Sequence, residues 1–113
     1  MTEKFFIDFA FLVENDLQLT KTKFVFTRRK IPKTLGAYYP DTDTVQIDLS
    51  CLSMTGSDNF RVVVAHELRH RWQYKHGWVF NCKLPYKERK HEIDAREYAF
   101  EFLRNHLKEK LYI

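Results

Sequence analysis

The chain has 113 residues, which fits a single domain spanning 1–113 and excludes two. At 44% hydrophobic and 16% aromatic it can bury a small core, and its ten Phe and six Tyr should supply much of that core. The net charge of +4 and pI of about 9.1 are only mildly basic, and 15 acidic residues are interspersed with the cations, so composition permits a nucleic-acid partner without demanding one.

The first element is a helix over residues 3 to 14. Thr2 is a candidate N-cap, Glu3 suits the first turn, and Asn15 and Asp16 end the run. Its broad apolar face should back onto a sheet. Glu3, Lys4 and Asp8 interrupt this apolar stretch, so it does not read as a secretory signal.

Three strands should follow. Residues 22 to 28 are rich in Thr, Val and Phe. Residues 35 to 39 make a weaker strand. Pro40-Asp41-Thr42-Asp43 is a turn by composition, and residues 44 to 49 alternate with Val45, Ile47 and Leu49 on one face. The last two strands form a hairpin, and the small sheet should be mostly antiparallel.

Ser57 or Asp58 can cap a helix over residues 59 to 76, with Gly77 where a C-terminal cap belongs. After a loop containing Pro85, a final helix runs from about 87 to 109. The expected fold is α+β, with the helices packed on one side of the sheet.

Cys51 and Cys82 form no CxxC pair and read as free thiols in a reducing compartment, against the alternative of one bridge. No stretch approaches the roughly 18 apolar residues of a membrane span. The expected location is cytoplasmic.

The chemistry is concentrated in His66-Glu67-Leu68-Arg69-His70, an HExxH pattern on the second helix. Residues four apart share a helix face, so both imidazoles can reach one metal ion. Glu67 lies about 100° round the helix, where it can act on a metal-activated water without being a ligand. Val62-Val63-Val64-Ala65 should bury the helix and hold the ligands rigidly.

A hydrolytic zinc site needs a third protein ligand and an open position. Glu92 is the first candidate. At about 100° per residue it falls in line with Ala95, Ala99, Phe102, Leu103 and His106. An inward carboxylate needs a partner, and a metal supplies one. His76 is the second, at the HExxHxxGxxH spacing, but Gln73 stands where that pattern has its Gly. Asp94 is the third; the same wheel puts it on the solvent face with Glu97 and Glu101.

HELRH at 66–70 followed by EIDAREYA at 92–99 resembles the gluzincin clan of zinc peptidases, and the element order is similar to its minimal members, the minigluzincins. The Glu-x-x-Ala-x-x-Tyr-Ala run also looks like the corresponding helix of ImmA/IrrE-type peptidases. The resemblance covers residues 60 to 105; residues 1 to 55 match only in element order. It implies an active-site helix, a following glutamate helix, and one Zn²⁺ held by His66, His70 and Glu92. Many gluzincins carry an Asp four residues after the glutamate, which orients a metal-binding His; here that position is Arg96.

The expected function is zinc-dependent endopeptidase activity on a peptide or protein substrate, with Glu67 as general base. His91, Tyr98 and Tyr86 are candidates to stabilise the oxyanion. An extended substrate can pair with residues 35–39 or 44–49. The resemblance also suggests latency, with the apolar end Leu111-Tyr112-Ile113 lying over the cleft. The alternatives are a catalytically weak zinc-binding interaction module, a plain helical protein without metal, and a SprT-like, DNA-associated peptidase using His76. Arg28-Arg29-Lys30 and the basic pI are the support for a DNA-associated role.

Overall fold

A computed structural model describes residues 3–28, 35–49 and 58–111, with side chains over 6–28, 35–49 and 60–106. The thiol of Cys51, the Ser57 cap, Arg29-Lys30 and the side chains of the C-terminal end lie outside these residues. The fold is α+β: α1 (Glu3–Asp16), β1 (Lys23–Thr27), β2 (Gly36–Tyr39), β3 (Thr44–Asp48), α2 (Asp58–Lys75), a short 3-10 turn at Tyr86–Glu88, and α3 (Lys90–Leu111). No helix among the described residues is long and apolar enough to cross a membrane.

The expected hairpin forms, with β2 antiparallel to β3 and Tyr38 opposite Val45. β1 instead runs parallel to β3, with Phe24 beside Val45 and Phe26 beside Ile47, so the sheet is mixed. Its order is β1-β3-β2. Placing β3 in the centre explains its burial: Val45 and Ile47 are wholly buried on one face, and Thr44 and Asp48 are buried on the other.

On α1 the spacing of Phe6, Phe9, Ala10 and Val13 makes one buried stripe, which Leu17 continues just past the helix end. Phe6 sets its ring edge-on against Phe24 and Phe26 of β1, at 4.8 and 5.0 Å between centroids. Phe9 reaches Phe102 on α3. Not all aromatics go inside: Phe11, Phe26 and Phe100 remain exposed.

α2 is the central element. It touches α1, α3, β2 and β3, and buries Phe60, Val64, Ala65 and Leu68 completely. Encirclement also buries its polar groups, including Glu67, His70, Arg71 and Gln73. A Schellman motif ends it: Trp78 donates to the Gln73 carbonyl, Gly77 donates to that of Tyr74, and Gly77 has φ +82°. Ala95 and Ala99 are fully buried on the facing helix, and their small side chains permit close approach of α3.

Arg71 ties three segments together. Its guanidinium donates to the Thr20 carbonyl at 2.7 Å, to the Thr20 and Thr22 hydroxyls at 3.0 Å, and to both oxygens of Asp43. Asp43 closes the hairpin turn in a left-handed conformation, φ 49°, which Asp tolerates. The Arg71 hydrogen bonds hold its carboxyl down at about 2. Arg71→Met should therefore strand a carboxylate and several acceptors. The expected loss is about 3–5 kcal/mol, read from the denaturant midpoint at constant slope.

Candidate metal centre

His66 and His70 sit one turn apart on α2 with their rings nearly perpendicular, 4.7 Å between centroids. Their Nε2 atoms are 3.1 Å apart. Glu92, near the start of α3, brings Oε1 to 3.1 Å from the first nitrogen and 2.5 Å from the second. Three atoms from two helices thus converge on one point. Tetrahedral coordination at 2.0–2.1 Å separates ligand atoms by about 3.3 Å, so a small widening of this triangle would admit zinc. Two imidazoles and one carboxylate are also the donor set that leaves a fourth position open.

Glu67 stands beside this point. His66, Glu67 and His70 form a group able to hold a metal ion, with ligand atoms all within 4.8 Å of one another. Burial raises the Glu67 carboxyl above the ordinary glutamate range, and the neighbouring histidines only partly oppose this. For Glu92, burial pushes the pKa upward, but the hydrogen bonds to both histidines outweigh it and hold the carboxyl well below the usual range. For His70, burial disfavours the cation, yet the bonds to Glu92 and Gln73 and the charge of Glu67 raise its pKa.

Of the four side chains, Glu67, His70 and Glu92 line a cleft of about 220 Å³, together with Gly36, Ala37 and Tyr38 of β2 and with Phe80, Cys82 and His91. A larger cavity, about 670 Å³ between α1 and α3 near Tyr98 and His106, contains none of the four.

β2 passes very close to Glu67. A Cβ on Gly36 would lie 2.8 Å from Val63 Cγ1, 3.0 Å from Glu67 Cγ and 3.2 Å from Glu67 Oε2. Gly36 therefore sets how near the strand comes to this carboxylate. Gly36→Ala should cost about 1–3 kcal/mol through overpacking and should displace Glu67. If the carboxylate is catalytic, kcat should fall while zinc content stays stoichiometric; metal analysis beside steady-state kinetics separates the two.

The other predicted residues fall as follows. His76 is exposed, stacks on Trp72 at 4.2 Å, and hydrogen-bonds through Nδ1 to the Trp72 carbonyl; it does not join the pair. Asp94 is not on the solvent face. It is half-buried against α2, where Arg69 donates to it at 2.8 and 3.2 Å and Gln73 at 2.8 Å. The buried stripe of α3 is centred on Ala95 and Ala99, rotated about 40° from Glu92 toward Asp94, so the two carboxylates lie on opposite sides of it. Tyr98 hydrogen-bonds Asp16 at 2.7 Å and does not line the cleft. His91 does, stacked on Phe80. Tyr86 is outside the lining, although the charges of Glu92 and Glu67 add to the burial that raises its hydroxyl pKa. Arg96 is exposed.

Two neighbours of the centre were not among the sequence candidates. Gly36 carried a signal, because a glycine inside a strand marks a close backbone approach. Gln73 carried a weaker one: it lies three residues after His70, on the same helix face.

No family model and no curated protein sequence matches the chain. Among solved structures, the fold is similar to a crystal structure titled as the metallopeptidase zymogen of Pyrococcus abyssi abylysin. The TM-score is 0.50 at 13% identity, covering 90% of this chain and 91% of the other. The likeness is one of fold.

Proposed function

We propose that the chain is a zinc-dependent endopeptidase in which His66, His70 and Glu92 are the metal ligands and Glu67 is the general base. The observation that carries this is the meeting of the two Nε2 atoms and Glu92 Oε1 within 3.1 Å of one another, beside a cleft lined by His70, Glu92 and Glu67. The similarity in fold to a metallopeptidase zymogen supports it.

Zinc held there would polarise a scissile carbonyl and acidify water toward neutrality. Glu67 accepts the proton of the attacking water and returns it to the departing amine. Its burial suits this role, because a raised pKa makes the carboxylate a stronger base toward the water proton. His91, alone of the three oxyanion candidates in lining the cleft, is the one we assign to that role.

Substrate binding follows from the sheet order. β3 is paired on both sides, so residues 44–49 offer no edge, whereas β2 is an edge strand and its residues line the cleft. An extended peptide adding to β2 brings its backbone past Glu67.

The test has two readouts: elemental analysis of the purified protein, and cleavage of denatured casein or a peptide library. One zinc per chain with cleavage abolished by a chelator and restored by zinc is expected. A metal-free protein that takes up no added zinc would refute the reading. The expected lid at the C-terminal end does not fit this centre: α3 is continuous to Leu111, about 28 Å along the helix from Glu92, and the two residues after it cannot span that distance.

A further inference from the structure

We infer that Gln73 is the positioning residue of His70, turning its Nε2 toward Glu92 and His66; this rests on the metal centre proposed above. The Gln73 side chain is wholly buried and every contact it makes is specific. Its Nε2 lies 2.8 Å from the His91 carbonyl oxygen and 2.8 Å from Asp94 Oδ2. Its Oε1 lies 2.8 Å from His70 Nδ1.

The chemistry of these partners fixes the amide orientation. A carbonyl oxygen and an ionised carboxylate can only accept, so the atom facing both must be the NH₂ group. The amide oxygen must then face His70, and an oxygen only accepts. His70 Nδ1 is therefore the protonated nitrogen. The tautomer that this selects places the ring's lone pair on Nε2, which points at the convergence of His66 and Glu92.

The amide is itself held. Arg69 grips Asp94 through Nε at 2.8 Å and a second nitrogen at 3.2 Å, and its guanidinium lies 3.8 Å from the centre of the Trp72 ring. The chain of contacts Trp72–Arg69–Asp94–Gln73–His70 thus runs from the surface of α2 to the centre. Asp94 acts at one remove, through the Gln73 amide. Gln73 can do this from three residues along the helix, and α2 closes only after it, with the Gln73 carbonyl accepting the Schellman bond from Trp78.

The test uses three proteins. Gln73→Met keeps length and volume but cannot accept from Nδ1. Asp94→Ala leaves Gln73 in place but removes one of the two acceptors that fix its amide. Zinc affinity is measured by competition with a chromophoric chelator, with thermal melting as the control for folding. Gln73→Met should bind zinc about 10–100-fold more weakly than the wild type. Asp94→Ala should lose less than Gln73→Met, because the His91 carbonyl still accepts from the Gln73 amide, and it carries the affinity test if Gln73→Met does not fold. Nitrogen-15 spectra of metal-free wild type in alkaline buffer should show His70 protonated at Nδ1, with that proton slow to exchange. Wild-type zinc binding with equal affinity in Gln73→Met, or a His70 that carries no proton on Nδ1, would overturn the inference. A wild type that binds no zinc at all would remove the metal centre instead, and the nitrogen-15 spectrum would still decide whether Gln73 holds His70.

Discussion

Glu67→Gln is expected to keep one zinc per chain and to lose activity by about 10²–10⁴-fold, the range attributed to a positioned base. The substitution preserves volume against Gly36, which the tight contact there demands. It removes only the capacity to carry a proton. Equal zinc content with unchanged turnover would show that another group does the work. The same variant has a second expected consequence, in the metal-free protein. Burial raises the Glu67 carboxyl, so the fold favours its protonated form. That advantage is present below the ordinary glutamate range and disappears as pH rises through the raised value. At neutral and alkaline pH the metal-free wild type therefore carries a buried group it would rather not ionise. Metal-free Glu67→Gln should melt higher than metal-free wild type, and the gap should widen with pH until ionisation is complete. A wild type that melts as high at every pH would show that the carboxyl is not disfavoured by burial.

Glu92→Ala is the second large effect. Disturbing a group that merely orients a metal ligand already costs about 10–100-fold in metal affinity, so removal of a ligand should cost more than a hundredfold. Glu92→Ala should accordingly lose zinc on dialysis, while His76→Ala should retain it in full. The His76 side chain is exposed and stacked on Trp72, so its removal leaves the centre untouched. The reverse pattern would reassign the third ligand. Without metal, Glu92 is also the counter-ion of the two histidines, and its carboxyl is depressed by their hydrogen bonds against the cost of burial. Its loss leaves two imidazoles facing each other at 3.1 Å with no acceptor between them. Some of the resulting instability is electrostatic and separate from any loss of metal, and comparing the melting of metal-free wild type and Glu92→Ala measures it.

These effects depend on an arrangement in which nearly every polar group on α2 has an assigned partner. Glu67 faces β2, His66 and His70 face Glu92, Gln73 and Arg69 face Asp94, and Arg71 faces the hairpin turn. One helix thereby locks the sheet to α3 while presenting the centre. Polar groups buried in this way cost free energy unless paired, so their pairing also restricts the ways in which the helices can pack.

The sequence by itself determined the elements and the register of the centre along α2. Spacing of four between His66 and His70 decides that they share a face whatever surrounds them, because it depends only on helix geometry. The hairpin at 35–49 and the Gly77 cap were equally legible, since turn chemistry and positive φ are local demands. Tertiary structure decided the rest. The parallel seat of β1 beside β3 depends on a long connection whose path no local pattern encodes. The wheel placed Ala95, Ala99 and Leu103 on the buried stripe, as observed, but Asp94 faces α2 because Arg69 and Gln73 of that helix reach it, and a wheel of one helix does not contain its neighbour's donors. Gln73, Gly36 and Arg71 acquire their roles only from partners distant in sequence: the orientation of an amide, the approach of a strand and the satisfaction of a guanidinium are properties of which groups are brought together, and packing alone brings them.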